Sequence, residues 1–303
     1  MLAISTAWNS WKYYRAKEII QEVKALGFEQ VELNFSLSAN LVEEMFALKD
    51  QGAIQVVSVH NFCPIPVGVL RQYASPDLPS LSSINERERR AAVKYTQQTI
   101  DTASRLRAQA VILHTGRVKM RERIRDLRRF QKNGETKRFA KLKEGVLKQR
   151  RTKAKKFFNQ ALKSLEQLCK YSLNKGVKLG IENRYYISEI PSIDEMQIIL
   201  EKFTAPALYY WHDVGHAQVY ENLEIAMHKQ FLDRFGERLL GMHLHDIKGI
   251  DDHRAPLQGT FDFKILKPYL RKDTIKVLEP HHPATKEEII KGADYLKKLF
   301  GES

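Results

Sequence analysis

Residues 239–253 read LLGMHLHDIKGIDDH. An apolar run, Leu239–Met242, leads into eleven residues that hold three histidines and three aspartates. Side chains alternate across a strand, so His243 and His245 share one side while Met242 and Leu244 share the other. Taken alone, the stretch fits a metal site, a charged surface loop or a polar strand end. What decides is whether the pattern of an apolar strand with a polar C-terminus recurs.

It recurs along the whole chain. Eight β-rich runs stand at Leu2–Thr6, Gln30–Asn34, Gln55–His60, Ala110–Thr115, Val177–Glu182, Leu208–Asp213, Leu239–His245 and Ile275–Glu279. Helical periodicity lies between them. Lys17–Leu26 sets Ile19, Ile20, Val23 and Leu26 on one face with Gly27 as C-cap, and Ala91–Leu106, Phe157–Leu173 and Ile193–Phe203 read alike. Strand–helix alternation repeated eight times predicts an α/β fold, a single (β/α)8 TIM barrel over 1–303. The doubly wound alternative lacks a Gly-rich phosphate loop after its first strand. Two intervals are long, the Pro/Ser-rich loop 61–85 and the segment 117–157. Both follow strand C-termini, the face where barrel enzymes place their sites.

The remaining composition sets bounds. The chain has 303 residues, 43% of them apolar, and no run of about 18 apolar residues that would cross a membrane. MLAISTAWNSW lacks the charged start and apolar core of a signal peptide. Cys63 and Cys169 are too few for a disulfide framework, so a reducing, cytoplasmic setting is expected. The net charge of +14 is local. Residues 117–156 hold 18 Lys/Arg against 4 Asp/Glu, and the rest of the chain holds 32 of each. The body is therefore neutral, and one segment carries the surplus.

Polar residues collect at the strand ends. Glu32, His60, His114, Glu182, Asp213 with His216, His243 with His245, Asp251 with His253, and Glu279 all fall at or just beyond a C-terminus. A lone strand-end histidine is more often a hydrogen-bonded core residue than a ligand, and His60 or His114 taken singly reads that way. Asp251 and His253 alone read as a solvated turn, and Glu32 reads equally as a barrel salt bridge and as a catalytic residue. Glu182 and Glu279 resist such readings, because a carboxylate buried at the end of an apolar strand is costly unless paired or metal-bound. The set as a whole suits a divalent cation of the Zn2+ or Mn2+ kind, with Mg2+, Fe2+ or Co2+ also compatible.

The motifs IEN (181–183), DVGH (213–216), HLHD (243–246), the D-x-H of Asp251 and His253, and the late Glu279 together resemble the xylose isomerase-like barrels. That superfamily includes sugar phosphate isomerases and epimerases and the endonuclease IV group (AP endonuclease family 2). The resemblance spans the chain except 117–157. Endonuclease IV-type enzymes hold three zinc ions, and the resemblance implies His60, His114, Glu182, Asp213, His216, His243, Asp251, His253 and Glu279 as their counterparts. The sugar branch implies one ion on Glu182, Asp213, Glu279 and either His243 or His245. DVGH stands where the endonucleases have DTCH, and Cys63–Pro64 stands where they carry a DNA-opening Tyr-Leu pair.

The resemblance implies a metal-dependent sugar, sugar-phosphate or polyol isomerase or epimerase, binding one to three ions. Glu182 and Glu279 would exchange the proton, and His216 would orient the substrate. Glu32, Asn183, Arg117 and Arg254 are the further candidates for substrate contact. The alternatives are an endonuclease IV-like zinc phosphodiesterase acting on nucleic acid and a metal-binding barrel without catalysis. For 117–157 the spacing of Met120, Ile124 and Leu127, the Asn133–Gly134 turn, and Leu142 with Val146 predict a helical hairpin. It reads equally as a lid and as a contact for nucleic acid or another polyanion through Arg128, Arg129, Arg150 and Arg151. A homo-oligomer fits the sequence, and a membrane partner does not.

Overall fold

Eight short apolar strands close on themselves in the computed structural model, which describes residues 1–302. In chain order the elements are β1 (Leu2–Ser5), α1 (Ala16–Ala25), β2 (Gln30–Leu33), α2 (Ala39–Asp50), β3 (Gln55–His60), α3 (Glu86–Leu106), β4 (Ala110–Leu113), α4 (Ile124–Lys132), α5 (Thr136–Lys175), β5 (Lys178–Glu182), α6 (Ile193–Lys202), β6 (Leu208–Asp213), α7 (Val214–Asn222), α8 (His228–Phe235), β7 (Leu239–Leu244), β8 (Asp246–Lys248), β9 (Asp251–Arg254), β10 (Ile275–Leu278) and α9 (Lys286–Phe300). The parallel barrel runs β1-β10-β7-β6-β5-β4-β3-β2 and closes where Ile4 of β1 pairs with both Leu278 and Val31. This is a (β/α)8 TIM barrel, and its eight strands lie within two residues of the expected runs.

One ring dominates the lumen. Trp211 packs there among Ala3, Val57, Ala110, Ile112, Leu240, Ile275 and Val277. Gly180 and Gly241 make room for it, since a Cβ on Gly241 would strike the Trp211 ring and one on Gly180 would approach it to 3.1 Å. The indole therefore forms an apolar floor below the C-terminal end of the strands, its ring centre 5.2 Å from that of His243. Outside the barrel the helices bury a larger apolar shell that includes Ile19, Val23, Met45, Ile100, Leu165, Ile199 and Leu296. Side-chain caps set the helix starts, among them the reciprocal Ser192–Glu195 and Thr285–Glu288 pairs on α6 and α9. No described helix is long and apolar enough to cross a membrane.

Two elements depart from expectation. The helix predicted to begin at Phe157 and the second arm of the hairpin are one 40-residue helix, α5. Its sequence is rich in Lys, Arg, Gln, Leu and Ala, with no proline, so nothing ends it at residue 157. Residues 246–254, expected as a loop, form the antiparallel ribbon β8–β9 around Gly249 at φ +71°.

The hairpin of α4 and α5 is clamped onto the barrel rim. Ile124, Leu127, Phe139 and Val146 bury against Ile187, Val219, Leu223 and Ile247, which follow β5, β6 and β7. Arg150 holds it from below, and here the sequence expectation fails. Arg150 is 6% exposed, and its Nη1 and Nη2 each donate at 2.6 Å to the Glu195 carboxylate. Its remaining donors reach the carbonyls of Ile187 and Glu189. A guanidinium satisfied in this way offers nothing to a polyanion. Arg128 is half-buried over the Gly249 turn and donates to Gln131, while Arg129 and Arg151 are exposed.

Arg150→Ala strands Glu195 as an unpaired buried charge and is expected to cost about 3–5 kcal/mol in urea unfolding. Arg151→Ala should stay within about 0.5 kcal/mol. Equal effects of the two changes would refute the buried-pair assignment.

Candidate functional site

The site grows from β7. His243 points into the lumen end, fully buried, and each of its ring nitrogens meets a carboxylate. Nε2 lies 3.0 Å from Glu32 Oε1, and Glu32 is fixed in turn by the Ser58 hydroxyl, which donates to Oε2 at 2.8 Å. Nδ1 faces Glu182 Oε1 at 2.9 Å, Glu279 Oε2 at 3.2 Å and Asp213 Oδ2 at 3.7 Å. Burial alone would push the imidazole pKa down, yet Glu279, Glu32, Asp213 and Glu182 hold it well above the ordinary histidine value. Three strand-end carboxylates converging on one ring nitrogen make a site for a positive charge.

Asp213 owes its position to its local sequence. It ends β6 and caps α7, its Oδ1 accepting the His216 N–H at 2.7 Å, which explains the D-x-x-H spacing. His245 Nδ1 receives the His253 N–H at 2.8 Å, so the ring turns Nε2 to both Asp213 oxygens at 3.0 Å. Gly215 of DVGH is required there, since any Cβ would strike the His245 ring. Burial raises the Asp213 carboxyl, but His216, His245 and His243 hold it well below the usual range. Glu182 behaves likewise, its burial outweighed by His114 at 2.7 Å, His243 and His60. Glu279 goes the other way. Burial, with Glu32 and Glu182 nearby, pushes its carboxyl up to about 7 although His243 opposes this.

Ligand atoms gather in four overlapping groups, each within 4.8 Å: Glu182–Asp213–His243–Glu279, His60–His114–Glu182, His216–Asp252–His253, and Asp213–His245–His253–Glu279. The donor chemistry fits a cation. His60, His216 and His253 each turn Nδ1 to a backbone carbonyl, of Asn61, Asn183 and Glu279, at 3.0–3.1 Å. That leaves Nε2 of each ring on the side of Glu182 or Asp252, the orientation that metal-ligating histidines take.

Above these groups opens a cavity of about 640 Å³. Its walls include Phe35, Asp77, Arg117, Tyr185, Tyr186, Glu189 and His281, and α4 with the residue after its first contributes Ile124 and Arg125. The volume suits a small molecule rather than a duplex.

A family model described as xylose isomerase-like TIM barrel matches residues 20–299. The chain belongs to that family. Three solved structures illustrate how far the likeness of the xylose isomerase-like barrel extends. A D-tagatose 3-epimerase-like protein is 18% identical at TM-score 0.68, with 99% of this chain and 97% of that one covered. The D-psicose 3-epimerase of Clostridium cellulolyticum is 12% identical at TM-score 0.68, with 99% of each chain covered. The 3-keto-D-glucoside 4-epimerase of E. coli is 12% identical at TM-score 0.68, with 98% of each covered. At these identities the likeness is one of fold. A comparison with curated proteins returned no match.

Within this barrel, several expected roles change. Asp251 is exposed on β9 and belongs to none of the ligand groups; Asp252 replaces it, its Oδ2 3.8 Å from both His216 and His253 Nε2. The cause is the left-handed backbone at His253, φ +52°, which breaks strand alternation and turns 252 and 253 to the same side. Asn183 is 2% exposed and does not meet the cavity. Its amide clamps the backbone of residue 213 from both sides, at 2.7 and 2.9 Å. Glu32 lies below the cavity as the support of His243. Arg254 lines a neighbouring cavity, while Arg117 lines the central one and pairs with Asp77 at 2.9 Å. Arg184 escaped the sequence reading although it follows IEN directly. It is 3% exposed and ties Glu182 Oε2 to Glu189. Asp246 is also buried, its carboxylate accepting the N–H groups of Ile247, Gly259 and Phe261, which anchors the loop after β9.

The carboxylates around His243 raise its pKa well above the ordinary histidine value, so a cation taking its place among them would displace a proton. Calorimetry in buffers of different ionisation enthalpy should show about one proton released per ion near neutral pH, with affinity rising as pH rises. Glu32→Gln loosens His243 and is expected to weaken metal binding about 10–100-fold, whereas Asp251→Asn should leave it unchanged. Proton-neutral binding, or an Asp251 variant as weak as the Glu32 one, would contradict this geometry.

Proposed function

We propose that this chain is a divalent-metal-dependent isomerase or epimerase acting on a sugar, a sugar phosphate or a related polyol. The reading rests on one observation. Glu182 and Glu279 flank the same ring nitrogen on the floor of a walled cavity, at 2.9 and 3.2 Å. Two carboxyl groups so placed are a ready base and acid. The epimerase names of the structural neighbours agree with it.

Glu182, Asp213, His243 and Glu279 would hold the cation, with Zn2+ or Mn2+ matching a mixed imidazole and carboxylate set. Such an ion supplies Lewis acidity toward a carbonyl and its neighbouring hydroxyl. The chain's own residues carry the proton. Glu182, held ionised, takes it from the carbon beside the carbonyl, and the C–H electron pair moves toward that carbonyl. Glu279 returns a proton to carbon. His216, fixed through Asn183 O, and Arg117 orient the substrate hydroxyls. The hairpin, with Ile124 and Arg125 on the cavity wall, limits water access and substrate size.

A second reading, phosphodiester hydrolysis by a zinc cluster, draws on two of the further ligand groups, His60–His114–Glu182 and His216–Asp252–His253. Hydrolysis of an abasic-site duplex by the zinc-loaded protein would support it over the first.

Incubation with aldoses, ketoses and their phosphates in D2O should place deuterium on the carbon next to the carbonyl. Glu182→Gln and Glu279→Gln should each lower kcat by about 10²–10⁴. A metal-loaded protein that exchanges no such proton across the panel would refute the proposal.

A further inference from the structure

The hairpin carries a second cavity, remote from the barrel site. It measures about 710 Å³ and lies between the segment leading into α4, α4 itself and the first half of α5. Its apolar lining is Phe130, Leu142 and Val146, and its cationic rim includes Arg121 and Lys141. Arg123 and Arg138, also on the rim, are paired with Asp126 and Glu135. Arg121 and Lys141 pair with no carboxylate among the described residues, so the rim keeps a net positive charge with nothing opposing it.

Gly145 is the second observation. It sits inside α5, where glycine weakens a helix relative to alanine. Packing does not require it: a Cβ there would meet no atom within 4 Å, and its φ is not left-handed. It faces the cavity beside Lys141 and Leu142. The missing side chain leaves a shelf of open space there, on the wall of the same cavity that Phe130 lines.

We propose that this cavity binds a nucleoside phosphate, the base lying between Phe130 and the Gly145 shelf and the phosphates meeting Arg121 and Lys141. An apolar slot bordered by unpaired cations matches a ligand with a flat ring at one end and several negative charges at the other. The same segment, 121–132, walls both this cavity and the barrel cavity. The assignment is independent of the chemistry in the barrel.

The test is isothermal titration of the full-length protein, as isolated, with ATP, adenosine, tripolyphosphate and a single-stranded oligonucleotide. ATP should bind at least tenfold more tightly than adenosine or tripolyphosphate. Gly145→Leu fills the shelf without disturbing the helix, which circular dichroism verifies, and should weaken ATP at least tenfold. Arg121→Glu with Lys141→Glu should do the same. Absence of ATP binding, ATP binding unchanged in folded Gly145→Leu, or binding of the oligonucleotide alone would each overturn the proposal.

Discussion

His243 is enclosed by four carboxylates and reached by no solvent. Glu32 holds one nitrogen, and Glu182, Asp213 and Glu279 surround the other. Burying that much negative charge without compensation would cost far more than a fold can spare. A positive charge at the lumen end is therefore a condition of the architecture. The Arg184 guanidinium behind Glu182 supplies part of it, and the raised proton affinity of His243 supplies more. A divalent cation would meet it more completely, and Nε2 of His60, His216 and His253 already faces Glu182 or Asp252.

The rest of the barrel preserves that arrangement. Trp211 closes the lumen beneath it, and the absent side chains of Gly180 and Gly241 admit the indole. Asn183 grips the backbone at residue 213, Gly215 lets His245 approach, and Asp246 pins the loop that returns His253. Each of these residues acts on a ligand without being one. The hairpin adds the roof, held by its own apolar contacts and by the Arg150–Glu195 pair.

Much of this was legible in the sequence. Eight apolar runs at regular intervals gave the barrel, and the polar residues at their C-termini gave the side chains that gather at its lumen end. Periodicity reports which side of an element is buried, and here the buried side and the chemistry coincide. What stayed hidden depends on backbone detail or on distant partners. The choice of Asp252 over Asp251 turns on one left-handed residue, His253. Arg150 looked like one of many surface cations because its partner, Glu195, lies 45 residues away. Asn183 and Glu32 looked like substrate contacts because a motif names residues near a site without saying which way they face. His243 and His245 both stand in groups that could hold a metal, and Glu32 and His253, which the sequence does not link to them, fix the two rings in different orientations.

The most direct measurement is anomalous scattering from crystals of the protein soaked with Mn2+. The account predicts an ion bound jointly by Glu182, Asp213, Glu279 and Nδ1 of His243, with Glu32 still on Nε2. Density for ions only at His60–His114 or His216–His253, with His243 still paired to its carboxylates through a proton, would contradict it.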